Sequence, residues 1–135
     1  MKRASAVALL LAAPVLTMLA VPVAHAVSTT IVISQVYGGG GNAGAAWRND
    51  FVELYNKSSS PVSLAGWSIQ YASATGTAWG SNSFNLTGTV AAHGYYLIQL
   101  ASGGANGALL PTADQSTTSN NMSATTGKLA LVNST

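Results

Sequence analysis

Apolar and polar positions alternate with period two through most of residues 30–133, the pattern of strands that turn one face to a core. The clearest run is Asp50-Phe51-Val52-Glu53-Leu54-Tyr55-Asn56. After a polar turn that ends at Pro61 comes a second, Gly66-Trp67-Ser68-Ile69-Gln70-Tyr71. The connection between them is too short for a helical crossover, so the two strands are either antiparallel neighbours or members of facing sheets. Further strands are predicted over residues 30–37, 83–87, 95–101 and 128–133, all rich in β-branched, aromatic or aliphatic side chains. Shorter extended pieces fall at 62–64 and 88–90.

The 95–101 segment is the most apolar of these and is expected inside a sheet. Residues 38–46 read as a flexible glycine-rich loop. Residues 102–124 form a connection of small residues too long to be featureless in a compact domain unless it is functional or mobile. No segment of 27–135 has helical periodicity, and no unit repeats. Short strands with frequent turns define an all-β chain and favour a β-sandwich.

The first residues follow a different grammar. Met1-Lys2-Arg3 is basic, residues 4–23 are apolar apart from Ser5 and Thr17, and Ala24-His25-Ala26 places small residues where a signal peptidase reads them. This predicts a signal peptide over 1–26 with cleavage between Ala26 and Val27, and a secreted, extracellular product. An uncleaved anchor is the other use of such a segment, but Pro14 and Pro22 interrupt its helix and the Ala-x-Ala ending would have no purpose. Once it is removed, no membrane association is expected.

Cleavage also changes the charge. The whole chain is formally +2, but beyond Val27 only Arg48, Lys57 and Lys128 face Asp50, Glu53 and Asp114, which leaves it neutral. Nucleic-acid binding, which needs several cations on one face, is not expected to be strong. There is no cysteine, so an exported domain of this size must hold together without disulfides.

Candidate chemistry is sparse. Gly39-Gly40-Gly41-Asn42-Ala43-Gly44 satisfies G-x-G-x-x-G after a strand. A strand follows it, however, rather than the helix whose N-terminus would hold a pyrophosphate, so a turn between strands is the better reading. Asp50 and Glu53 are three apart and on a strand face opposite ways. They do not form a paired-carboxylate site, and Glu53 reads as a partly buried side chain bonded to backbone or hydroxyl groups. A calcium site using Asp50 or Asp114 with backbone carbonyls is an open alternative. His93 is the one histidine left after cleavage and sits in a turn, with neither zinc ligands nor a G-x-S-x-G context around it. No catalytic residue and no cofactor is therefore expected. Trp67 shares a face with Ile69 and Tyr71 and reads as core. Trp47 and Trp79 lie in loops and are the candidate binding surface, for stacking sugars or a partner; the alternative is that each closes an end of the sandwich.

Three segments together resemble a known family: Ile31-Val32-Ile33-Ser34-Gln35-Val36-Tyr37-Gly38, Asn49 to Asn56, and Val62-Ser63-Leu64-Ala65-Gly66-Trp67-Ser68-Ile69 are similar to the lamin tail domain in its bacterial secreted form. Tyr95-Tyr96-Leu97-Ile98 and Gly127-Lys128-Leu129-Ala130-Leu131-Val132-Asn133 fit the same pattern. The resemblance implies an immunoglobulin-like β-sandwich over 27–135 that acts as a non-catalytic binding or scaffolding module for a protein, polysaccharide or cell-surface ligand. It also implies a rival role, since such domains accompany extracellular nuclease or phosphatase domains: an N-terminal accessory domain whose catalytic part lies further on. A carbohydrate-binding module is the third reading. Similar chains continue into one more strand after the Leu-Val-Asn-Ser-Thr segment, so the expectation here is a sandwich that lacks its closing strand within a longer protein.

Overall fold

The computed structural model describes residues 28–133, so the predicted cleavage site at Ala26 and Val27 lies outside the described residues. Nine strands form within that span: β1 (Ile31–Tyr37), β2 (Phe51–Asn56), β3 (Val62–Ser63), β4 (Ser68–Ala72), β5 (Ser83–Asn85), β6 (Thr89–Val90), β7 (Tyr95–Gln99), β8 (Gln115–Ser116) and β9 (Lys128–Val132). A single 3-10 turn, Gly80–Asn82, precedes β5. One sheet runs β1-β2-β7-β8, the other β5-β4-β9, and a small β3-β6 ribbon accompanies them. The first two predicted strands, β2 and β4, thus belong to different sheets, which decides between the two arrangements their spacing allowed.

The core follows from the alternation. Val52 and Leu54 of β2, Tyr96 and Ile98 of β7, and Ile69 of β4 turn inward, joined by Ile31, Leu64, Leu86, Val90, Leu100 and Met122. Trp67, Tyr71, Leu129 and Leu131 pack against this cluster while partly exposed, as expected for Trp67. The strand 95–99 does lie inside its sheet, between β2 and β8.

Two features depart from the alternation. β1 pairs with β2 as Ile33↔Leu54 and then Gln35↔Glu53, so Ser34 is the extra residue of a β-bulge. The 102–124 connection is not featureless. It contains β8, which joins β7 in parallel through Ile98↔Gln115 and Gln99↔Ser116, and it delivers Met122 to the core.

The glycine-rich segment is packed rather than flexible: Gly39, Gly40 and Gly41 are buried. A Cβ on Gly40 would lie 2.2 Å from the Asn49 carbonyl carbon and 2.4 Å from the Asp50 nitrogen. Only glycine lets these two backbones touch. Gly41 N–H donates to the Trp47 carbonyl at 3.0 Å and closes the loop on itself.

Candidate functional site

The side chains with chemical potential are occupied by the fold. Asp50 is fully buried; its Oδ1 accepts the Gly40 N–H at 2.6 Å and its Oδ2 the Met122 N–H at 2.5 Å. Burial pushes its carboxyl above the usual 3.8, against the opposing pull of the Gly40, Met122 and Gly39 N–H groups. Both oxygens are thus engaged by backbone donors inside the fold. Asp114 Oδ2 accepts the Leu97 N–H at 2.7 Å beside β8. Glu53 accepts the Ser34 hydroxyl on Oε1 at 2.6 Å, the hydroxyl bond expected of it. Among the described residues no three His, Cys, Asp or Glu side chains converge on one point.

The amide of Asn56, also fully buried, locks two turns together. Its Nδ2 donates to the Ser60 and Ala91 carbonyls at 2.8 and 3.0 Å, and its Oδ1 accepts the Ser58 N–H at 2.9 Å. His93 is exposed in the neighbouring turn with φ of 52°, and its N–H donates to the Ser58 carbonyl at 3.2 Å.

Trp47 and Trp79, the two candidate surface residues, attach to different parts of the sandwich. Trp47 is half-buried and forms a parallel bridge with Ala108. Its N–H lies 3.4 Å from Tyr37 Oη, which accepts the Ala46 N–H at 2.9 Å; Trp47 therefore flanks the β1-β2 sheet. Trp79 is half-buried at the start of the 3-10 turn. The Lys128 ammonium sits 5.7 Å from its ring centroid and donates to the Gly76 carbonyl at 2.6 Å, which ties Trp79 to the β4-β9 sheet. The two indoles do not form one platform.

A feature that the sequence reading missed lies on the face of β1, β2 and β7 turned away from the core, open at Tyr95 and covered at Phe51, which is buried. The residues that alternate with the core positions form three rows across these strands: Tyr37, Phe51 and Gln99; Gln35, Glu53 and Leu97; Val32, Tyr55 and Tyr95. The first row holds Tyr37 stacked on Phe51 at 5.6 Å and 11°. The third holds Tyr55 and Tyr95 at 4.8 Å and 35°. Tyr95 is 62% exposed. The alternation of Phe51 and Tyr55 about Glu53 was visible in the sequence, but their partners on β1 and β7 are fixed by register, which one strand does not encode.

A second surface feature is the gap between β1 and β9, whose outer edges are unpaired among the described residues. A groove of about 730 Å³ runs between the β1 side, from Ser28 to Ile33, and Leu129, Leu131 and Asn133 on the β9 side. A smaller one of about 160 Å³ continues it past Leu129 to Val36 and Gly38.

Comparison with known proteins agrees with this architecture. The Lamin Tail Domain family matches residues 24–135, and the chain belongs to that family, a family of non-catalytic immunoglobulin-like domains. No curated protein matches the chain.

Proposed function

We propose that this protein is a secreted binding or scaffolding module of the lamin tail type that carries out no catalysis itself. The observation that carries this reading is the use of its acidic groups. All three carboxylates of the sequence, Asp50, Glu53 and Asp114, are engaged by backbone N–H groups or a hydroxyl that hold strands and turns together. Among the described residues none belongs to a group of three His, Cys, Asp or Glu side chains that could hold a metal ion. The hydrophobic leader ending in Ala24-His25-Ala26 supports export, with Val27 as the first residue of the released form.

Two measurements test the reading. The first is the intact mass and N-terminal sequence of the protein recovered from the medium of a secreting bacterial host; a start at Val27 is expected, and an unprocessed chain confined to the cell would overturn the export. The second is incubation of the purified chain with plasmid DNA and with p-nitrophenyl phosphate, where no turnover is expected. Turnover that co-purifies with the chain would overturn the non-catalytic reading and favour the nuclease or phosphatase role.

A further inference from the structure

We propose that the outer face of the β1-β2-β7 sheet is a platform for a neutral, hydroxyl-rich polysaccharide. The proposal rests on the reading of the chain as a binding module and adds to it the face and the ligand class.

The two aromatic pairs occupy opposite corners of this face. Tyr37 on β1 and Tyr95 on β7 are four positions apart along the β2 register and two strands apart across it. At strand spacings of ~3.3 Å per residue and ~4.8 Å per strand their diagonal is roughly 16 Å, the length of several linked sugar rings. Sugar rings present an apolar face of C–H groups that lies flat on an aromatic ring, and a rim of hydroxyls that seeks hydrogen bonds. The diagonal supplies both in order. Tyr95, the most exposed ring, stands at one end, and Tyr37, backed by Phe51, at the other. Glu53 lies midway, with Gln35 and Leu97 opposite it in the middle row.

The Tyr37 end of the platform is held before any ligand arrives, and Tyr95 leans on Tyr55. Tyr37 is stacked on Phe51, and its Oη receives the Ala46 N–H. A platform fixed in this way loses little conformational freedom on binding.

The polar groups choose the ligand. Glu53 accepts Ser34 on one oxygen, and among the described residues nothing donates to the other. Ion pairing does not consume it either, since β1, β2 and β7 contain no Lys or Arg. A carboxylate with one free oxygen, flanked by the Gln35 amide on one side and Leu97 on the other, accepts hydroxyl donors and repels phosphate, sulfate and uronate groups. Cross-strand aromatic pairs also stabilise a sheet, but that role accounts neither for the exposure of Tyr95 nor for the free acceptor at the centre.

The test is co-sedimentation of the full chain, as secreted, with microcrystalline cellulose, chitin and insoluble β-1,3-glucan, and affinity electrophoresis through gels containing their soluble derivatives. Retention by at least one of these neutral glycans, unchanged between low and high salt, is expected. Tyr95→Ala and Glu53→Gln should each weaken it by about tenfold or more, Tyr95→Phe should retain it, and all three should keep the parent's circular dichroism spectrum and thermal midpoint within a few degrees. Trp79→Ala, on the other sheet, should bind as the parent does. No retention by the parent on any of these glycans overturns the proposal and leaves the export and turnover measurements as the judges of the module reading. Equal retention by parent and Tyr95→Ala overturns the assignment of the face alone. Retention that collapses with salt, or that appears only with a sulfated or uronate-containing polymer, overturns the neutral ligand class.

Discussion

The Asp50 carboxylate and the Met122 N–H meet at 2.5 Å although 72 positions separate them in sequence. With the Gly40 N–H on its other oxygen, Asp50 joins the glycine-rich turn, the start of β2 and the segment that carries Met122 into the core. Replacement by alanine strands two buried donors, each at a cost of about 1–3 kcal/mol. Urea unfolding of Asp50→Ala should show a loss in that summed range, whereas a loss within experimental error would mean that water satisfies these donors.

The same residue sets a pH dependence. Because burial raises its pKa in the folded chain, the folded form holds this proton more tightly than the unfolded form. The stability it contributes is fully present below the unfolded value and is lost as pH rises through the raised folded value. Asp50→Asn does not titrate, so the difference in urea midpoint between parent and variant isolates the effect. The parent's standing relative to the variant should decline as pH rises from below 3.8 through the acid range. A difference that stays flat or rises over that range would contradict the shift.

Gly40→Ala forces a methyl group into the Asn49–Asp50 backbone. Neither neighbour is the end of a flexible side chain, so the strain should reach about 1–3 kcal/mol or more. Thermal unfolding measures it, with Gly44→Ala as a comparison: nothing stands within 4 Å of a Cβ there, and only its positive φ of 78° resists the change. Equal losses at the two sites would mean that the close approach is unimportant.

Asn56→Ala removes the amide that bonds the turn after β2 to the carbonyls after β6. Stranding these buried groups should lower stability by about 2–4 kcal/mol. Asn56→Asp should do worse, because it turns an acceptor towards the Ser60 and Ala91 carbonyls. If Asn56→Asp proved the milder change in urea unfolding, the orientation of the amide would be wrong.

Lys128→Ala deletes the ammonium over Trp79 and its bond to Gly76. The loss should be small, about 0.5–1 kcal/mol, and accompanied by a change in tryptophan emission. A large loss without any change in emission would place the role of Lys128 elsewhere.

The sequence carried the sandwich because its long strands bury one face each: Val52 and Leu54, or Tyr96 and Ile98, announce their core side by spacing alone. β8 was not legible. Its two residues have no period, and their place comes from the Asp114 N–H on the Leu97 carbonyl and the Thr117 N–H on the Gln99 carbonyl. The glycine segment misled for a similar reason, since the contact between Gly40 and Asn49–Asp50 joins two backbones and leaves no side-chain pattern to read. Tyr37 and Tyr95 were visible as strand residues, but that they complete two aromatic pairs on one face depends on the registers of β1 and β7 against β2.

Those registers hinge on Ser34. Ile31 and Ile33 point to the interior, and by parity alone Gln35 and Tyr37 would follow them. The additional residue shifts the count, so that Val36 opposes Val52 while Tyr37 pairs with Phe51 on the other face. Removing Ser34 from the gene would restore strict parity and drive either the tyrosine ring or the two isoleucines across the sheet. A single codon thus sets which alternate residues on either side of it turn inward, and an insertion or deletion there would be felt on both faces at once.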